Sequence, residues 1–392
     1  MSAPPCVFVG ASETYAALGP TAFTSLHAAF ERIWAGHNPA LELPPALPDK
    51  DAPAESQCAP AYDTQNGEHA AYVRSHMRTR SVVSYQFHAR DAELLRLLRT
   101  REAEPRSGAQ LHAFRKQWGK RLEKHTFFWY KRLREERVQP LRLWPPPPLP
   151  RAASTEARDR ATEEVEEDEK EEEKEKERCA QNAVCEMPAV RDVAQTEAAF
   201  CAPMAPAVAV LLADANDETQ AQGRLRRVAL QPWAVRGRVD GLQFEADGAS
   251  VTVLEIKNRI EGRSQRAFMQ HEFLQLQAYL RVTGFARGLL LDSLIEPAPL
   301  GSPSSPASAR TAEKEQHGVE EHEEGAVRFT INVLETEFSP ALWHEFVEPR
   351  LARLVAQVCA LDADAARREH YGRLTARQRD AYLRDVLNGA IC

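Results

Sequence analysis

The sequence predicts an α/β domain, a central mixed β-sheet with helical flanks. Three observations carry this. Apolar stretches with strand periodicity gather in residues 224–293, their order is strand–strand–helix–strand, and helical patterns lie on both sides of them. With 392 residues, 43% of them hydrophobic and 27% charged, the chain can bury a sizeable core and fits about two domains.

Each element has a local reason. Residues 1–70 read as an N-terminal extension, disordered in part, with a short helical pattern at "TSLHAAFERIWAG" and then a Pro-rich linker. Residues 71–144 read as a basic helical region. There "RDAELLRLLRTR" sets Leu94, Leu97 and Leu98 on one helix face, and a longer helix is expected from about Gly108 to Arg137. "WPPPPLP" ends that region, and residues 145–185 are expected to be a disordered acidic insertion. Residues 186–392 form the expected core, with a second disordered insertion at 296–325.

Within that core, "VALQPWAVRGRVDGL" and "SVTVLEIKN" read as two strands joined by the Asp-Gly turn of "FEADGAS". A helix follows at "RAFMQHEFLQLQAYLRVTG" and stops at Gly284. "RGLLLDSL" is the next strand. "VRFTINVLE" alternates, with Val327, Phe329, Ile331 and Val333 on one face, so a half-exposed strand is expected. Helices close the chain.

Charge is uneven. Residues 156–178 hold 13 acidic and 6 basic side chains, which equals the whole formal net charge of −7. Residues 74–144 hold 18 Lys/Arg against 7 Asp/Glu, interleaved with aromatics as in "HAFRKQWGKRLEKHTFFWYKRLREER". Two readings stand. The segment is a surface for a phosphate backbone with aromatics free to stack on bases, or an ordinary amphipathic helix with a solvated basic face. No apolar run reaches the roughly 18 residues a membrane span needs, so no membrane partner is expected. Seven scattered cysteines without a C-x-x-C point to reduced thiols in an intracellular protein. The N-terminus has at most weak features of a mitochondrial presequence.

The chemistry gathers at "VRGRVDGLQFEADGASVTVLEIKNR". Residues two apart in a strand share a face, so Val251, Val253, Glu255 and Lys257 lie together, with Thr252, Leu254 and Ile256 opposite. Asp240, on the preceding hairpin strand, can meet Glu255 at one cation. Two carboxylates and the Ile256 carbonyl suit Mg²⁺ (or Mn²⁺), which prefers oxygen ligands. Lys257 would orient the attacking water or stabilise developing charge, and desolvation beside a cation would lower its pKa. Gln275 and Tyr279, spaced i, i+4, share a stripe of the following helix. The plain alternatives are a salt bridge at a strand end and a core tyrosine.

These residues resemble the PD-(D/E)xK nuclease superfamily, specifically its RecB- and Cas4-like exonuclease branch. "GRVDG" with Asp240 is similar to the aspartate motif, "LEIKN" with Glu255 and Lys257 to the E-x-K motif, and "QLQAY" supplies the Q-x-x-x-Y of Gln275 and Tyr279. The resemblance implies a restriction-endonuclease-like core and a Mg²⁺-dependent deoxyribonuclease, most simply a single-strand DNA exonuclease of DNA maintenance or repair. It implies an upstream helix G-x-x-x-H, matched by Gly108 and His112, whose histidine would join Asp240, Glu255 and Ile256 at the metal. An acidic residue before the sheet would be Glu197. Some relatives hold an iron–sulfur cluster, but the clustered cysteines are missing here and none is expected. A mitochondrial genome-maintenance exonuclease is one cellular precedent, so mitochondrion or nucleus is the expected compartment. A catalytically inactive nucleic-acid-binding module of the same fold, and a structure-specific endonuclease, remain open alternatives.

Overall fold

The computed structural model describes residues 6–19, 25–47, 64–99, 108–135, 141–142, 190–195, 199–212, 227–246, 250–259, 265–298 and 326–389. The acidic run at 156–178, nearly all of the insertion expected at 296–325, and Glu197 lie outside these residues.

In chain order the elements are β1 (Val7–Gly10), a 3₁₀ helix (Ala11–Leu18), α1 (Leu26–His37), α2 (Thr64–His76), β2 (Ser81–Ala89), α3 (Ala92–Arg99), α4 (Gly108–Glu135), β3 (Leu141–Arg142), β4 (Val190–Gln195) and β5 (Ala199–Leu212). Then come β6 (Arg227–Arg238), β7 (Gly241–Glu245), β8 (Val251–Arg259), α5 (Gln270–Thr283), β9 (Arg287–Pro297), β10 (Val327–Glu337), a π-helical turn (Leu342–Val347), α6 (Glu348–Ala363), α7 (Ala365–Gly372) and α8 (Ala376–Leu387).

The class is mixed α/β. Seven strands form one sheet in the order β3-β2-β10-β9-β8-β7-β4, and three form a second in the order β1-β6-β5. The seven-stranded sheet is mixed, because β8 and β9 run parallel while β7–β8, β9–β10 and β10–β2 are antiparallel. α5 is the crossover between the parallel pair, and it ends at Gly284, whose φ of 73° accepts the left-handed cap. Helices cover both faces. On one, Leu254, Ile256, Leu291, Phe329 and Ile331 pack with Leu94 and Leu98 of α3 and with Trp118, Leu122, Phe127 and Tyr130 of α4. On the other, Val253, Leu290 and Leu334 pack with Phe273, Leu276 and Leu280 of α5 and with the cluster of α1, α6 and β1.

Several expectations are corrected. The stretch expected to be an N-terminal extension at 1–70 supplies core: Val7, Val9, Ala16 and Ala17 are buried, and β1 pairs in parallel with β6. The region expected to be helical at 71–144 contains β2, a full partner of β10. Its "SVVSYQF" has strand composition, but the basic residues around it mask the pattern. In α3 the buried leucines are Leu94, Leu95 and Leu98, with Leu97 only half-buried. β10 is not half-exposed. Val327, Phe329, Ile331 and Val333 are buried as the alternation expects, but Asn332 and Leu334 are buried too, because helices lie on both sides of its C-terminal half. The long strand expected through "VALQPWAVRGRVDGL" breaks at Val239–Asp240, where the chain passes from the three-stranded sheet into the seven-stranded one.

Candidate active site

That break positions Asp240. β7 pairs with β8 in the register Gly241↔Leu254, and continuing it by one residue sets Asp240 opposite Glu255. With the strand interrupted, Asp240 Oδ2 takes the Ile256 N–H at 2.7 Å. Its two flanking glycines let helices close in. A Cβ on Gly237 would lie 2.6 Å from Tyr279 Cε1, and one on Gly241 would lie 2.9 Å from Phe127 Cε2. The "GRVDG" string therefore packs α5 on one side of Asp240 and α4 on the other.

Glu255 and Lys257 share a face of β8, turned toward α5. Lys257 Nζ donates to Glu255 Oε1 at 2.5 Å and to Gln275 Oε1 at 3.2 Å. Gln275 Nε2 donates to Glu255 Oε1 at 2.8 Å and lies 2.9 Å from the Tyr279 hydroxyl, which closes the group. Asp240 lies close enough to Glu255 for its charge to raise that carboxyl. Asp240, Glu255, Lys257, Gln275 and Tyr279 thus form one connected cluster. Ile256 enters it through its N–H.

A sixth residue, absent from the sequence reading, is Glu123 of α4, whose carboxyl lies close enough to Asp240 to be raised by it. It is the one acid between Gly108 and Arg134, in the basic string "RKQWGKRLEKH". That isolation was the available signal. The expected metal ligand His112 lies in α4, but its side chain is outside the described residues. It precedes Glu123 by eleven residues, about 16 Å along the helix axis at 1.5 Å per residue. Gly108 falls at the first residue of α4.

The electrostatics follow from packing. Burial, above all, pushes the Glu255 carboxyl up to about 8. Lys257 pulls against this and Asp240 adds to it. Glu123 is likewise pushed up to about 8, by burial and then by Asp240, with Lys120 and Lys257 opposing. For Lys257 burial acts to lower the pKa, but Glu255, Asp240 and Glu272 outweigh it and the ammonium is raised above its ordinary value. The depression expected from sequence is for a lysine beside a bound cation; with the carboxylates alone around it, the ammonium is held charged. Burial also raises the Tyr279 hydroxyl, so it stays protonated.

The donor set fits a hard divalent cation. Glu255 Oε2 is buried without a hydrogen-bond partner. Glu255 bonds the Lys257 ammonium, and Asp240 and Glu123 bring two further carboxyl groups close by, oxygen donors of the kind such a cation prefers. As arranged, the acids are joined pairwise through Asp240, and among the described residues no three His, Cys, Asp or Glu side chains already surround one point. Sharing protons is how closely placed carboxylates relieve repulsion, and the raised acids are its signature. Among the described residues Cys6, Cys201 and Cys359 are free thiols, and no helix is long and apolar enough to cross a membrane.

No protein-family model matches the chain, and no curated protein is significantly similar to it. A solved structure titled "Crystal structure of SSO0001" is 18% identical over 25% of this chain and 34% of its own, with a TM-score of 0.15, which carries no argument.

Proposed function

We propose that the chain is a metal-dependent nuclease with a restriction-endonuclease-like core of the PD-(D/E)xK type, hydrolysing DNA and acting as an exonuclease on single strands. One observation supports this above the others: Glu255 bonds the Lys257 ammonium at 2.5 Å, and two further acids, Asp240 and Glu123, lie close enough to act on the group. A strand-end salt bridge needs one acid and one base. Burying two further acids beside it opposes folding, and such clusters of perturbed groups concentrate at functional sites.

In this reading Asp240, Glu255 and Glu123 hold the cation, Mg²⁺ or Mn²⁺. Bound there, the cation supplies Lewis acidity and a bound water of lowered pKa. Lys257, raised and charged, places its ammonium where negative charge develops on the phosphoryl oxygens. Gln275 fixes that ammonium against Glu255 through its two amide atoms, and Tyr279 fixes Gln275. The basic surface of α4 receives the strand. The compartment, mitochondrion or nucleus, belongs to the same proposal.

Purified protein with Mg²⁺ or Mn²⁺ should digest end-labelled linear single-stranded DNA and spare a circular single strand. Asp240→Asn and Lys257→Ala should each lose about 10²–10³-fold or more in rate while still binding the strand. Binding without cleavage of any DNA or RNA would replace the nuclease with a binding module, and cleavage of circles would make it an endonuclease.

A further inference from the structure

The aromatic residues of α4 do not face solvent as the stacking reading required. Trp118, Phe127 and Tyr130 are buried in the core, Phe114 and Trp129 are half-buried, and of the helix's described aromatics only Phe128 is exposed, at 55%. What the helix offers beside the carboxylates is a row of amines. Lys116, Lys120 and Glu123 are spaced i, i+4, i+7, which is one helical stripe. Glu123 sits at its half-buried edge and both lysines are exposed. Two other lysines of the helix are engaged elsewhere. Lys124 pairs with Glu93 at 2.7 Å and Lys131 with Asp192 at 3.2 Å. Among the described residues neither Lys116 nor Lys120 forms a salt bridge, and Lys120 acts on Glu123 of the same stripe.

Resting on the nuclease reading, we propose that Lys116 and Lys120 seat the two phosphates next to the scissile one, so that the single strand runs along α4 into the carboxylate cluster and is held there by its backbone alone. The lysines stand about 4.5 and 10.5 Å from Glu123 along the axis and about 6 Å from each other, a step comparable with one nucleotide of an extended strand. Among the described residues no exposed aromatic accompanies them on the stripe, so this segment reads charge and not base identity. Phosphate contacts of that kind position a strand without specifying its sequence.

The test is the salt dependence of binding, measured with fluorescein-labelled homopolymeric thymidine and adenosine deoxy-strands and the full chain in chelator, which prevents cleavage. Each phosphate contact contributes about 0.7 to the log–log slope for a single strand. Lys116→Ala/Lys120→Ala should therefore flatten the slope by about 1.4, equally on both strands, and Lys124→Ala, already paired, should leave it unchanged. These are exposed helix positions where Ala is well tolerated, and circular dichroism verifies folding. A wild-type slope in the double variant, or a loss confined to one sequence, overturns this inference while wild-type cleavage leaves the nuclease reading standing. Wild-type protein that neither binds nor cleaves either strand sinks both.

Discussion

Asp240 lies between two glycines for steric reasons that reach beyond the turn. At Gly237 a methyl would meet Tyr279 Cε1 at 2.6 Å and Ala11 Cβ at 2.8 Å, so the ring and the 3₁₀ helix both require the missing side chain. Gly237→Ala should cost about 1–3 kcal/mol, the usual scale of overpacking, and lower activity by moving Tyr279 off Gln275. Urea denaturation reads the first effect, and unchanged stability would refute the packing argument. The carboxylates make a second claim. Glu123 and Glu255 rise from an ordinary 4.5 to about 8 in the folded chain. An acid raised by folding binds its proton more tightly when folded. Between about 4.5 and about 8 the folded form therefore holds more protons, and stability must fall as pH rises through that window. In chelator, the melting temperature should drop across that range and the slope should be shallower in Glu123→Gln. A variant slope equal to wild type would show that the acid does not share in the cluster. Five of the six clustered residues were legible because strand alternation and helical i, i+4 spacing are local rules. Glu123 was not, since nothing local says that a helix 117 residues upstream of Asp240 will cross the end of its strand.

At the scale of elements, the site sits at the junction of β7, β8 and α5, and one arginine fastens it. Arg259, at the end of β8, donates to Asp292 of β9 at 2.5 Å and to Glu272 in the first turn of α5 at 2.7 Å. Asp292 also accepts the Gln265 N–H at 2.7 Å, so the loop entering α5 is tied to the same carboxylate. This holds the helix at the angle that brings Gln275 to Lys257. Glu272 and Asp292 are almost wholly buried, at 1% and 0% exposure. Arg259→Ala would leave two buried acids without their cation and should cost about 3–5 kcal/mol, read as a lower urea midpoint at unchanged m-value. A loss near zero would mean that water reaches the pair. The elements the sequence hid have two causes. β1 and β2 are strands whose partners β6 and β10 lie more than 200 residues away in the chain, while β5, which pairs with the next strand β6, is hidden by its Pro- and Ala-rich composition. α5 and β8, by contrast, have their stop signals and periodicity within reach of one window.

For the molecule as a whole, both faces of the seven-stranded sheet are covered by helices, and the carboxylate cluster lies at the strand end at Asp240, beside α4. The domain class was legible from element order. The division into an extension and a core was not, because β1 must find β6 more than 200 residues downstream. A site that concentrates carboxylates at such an edge opposes folding until a cation neutralises them. Mg²⁺ or Mn²⁺ should therefore stabilise the full chain by mass action, about 2.7 kcal/mol at a concentration 100 times the dissociation constant. Because the acids are raised, the ion must also displace protons on binding. Titration calorimetry of Mn²⁺ at pH 7 in two buffers of different ionisation heat should give apparent enthalpies that differ in proportion to the protons released, and the melting temperature should climb with Mn²⁺. Asp240→Asn should lose most of both responses. Neither ion shifting the melting temperature, or an equal shift in wild type and Asp240→Asn, would place any bound cation elsewhere and leave the three carboxylates without the ligand that their charge calls for.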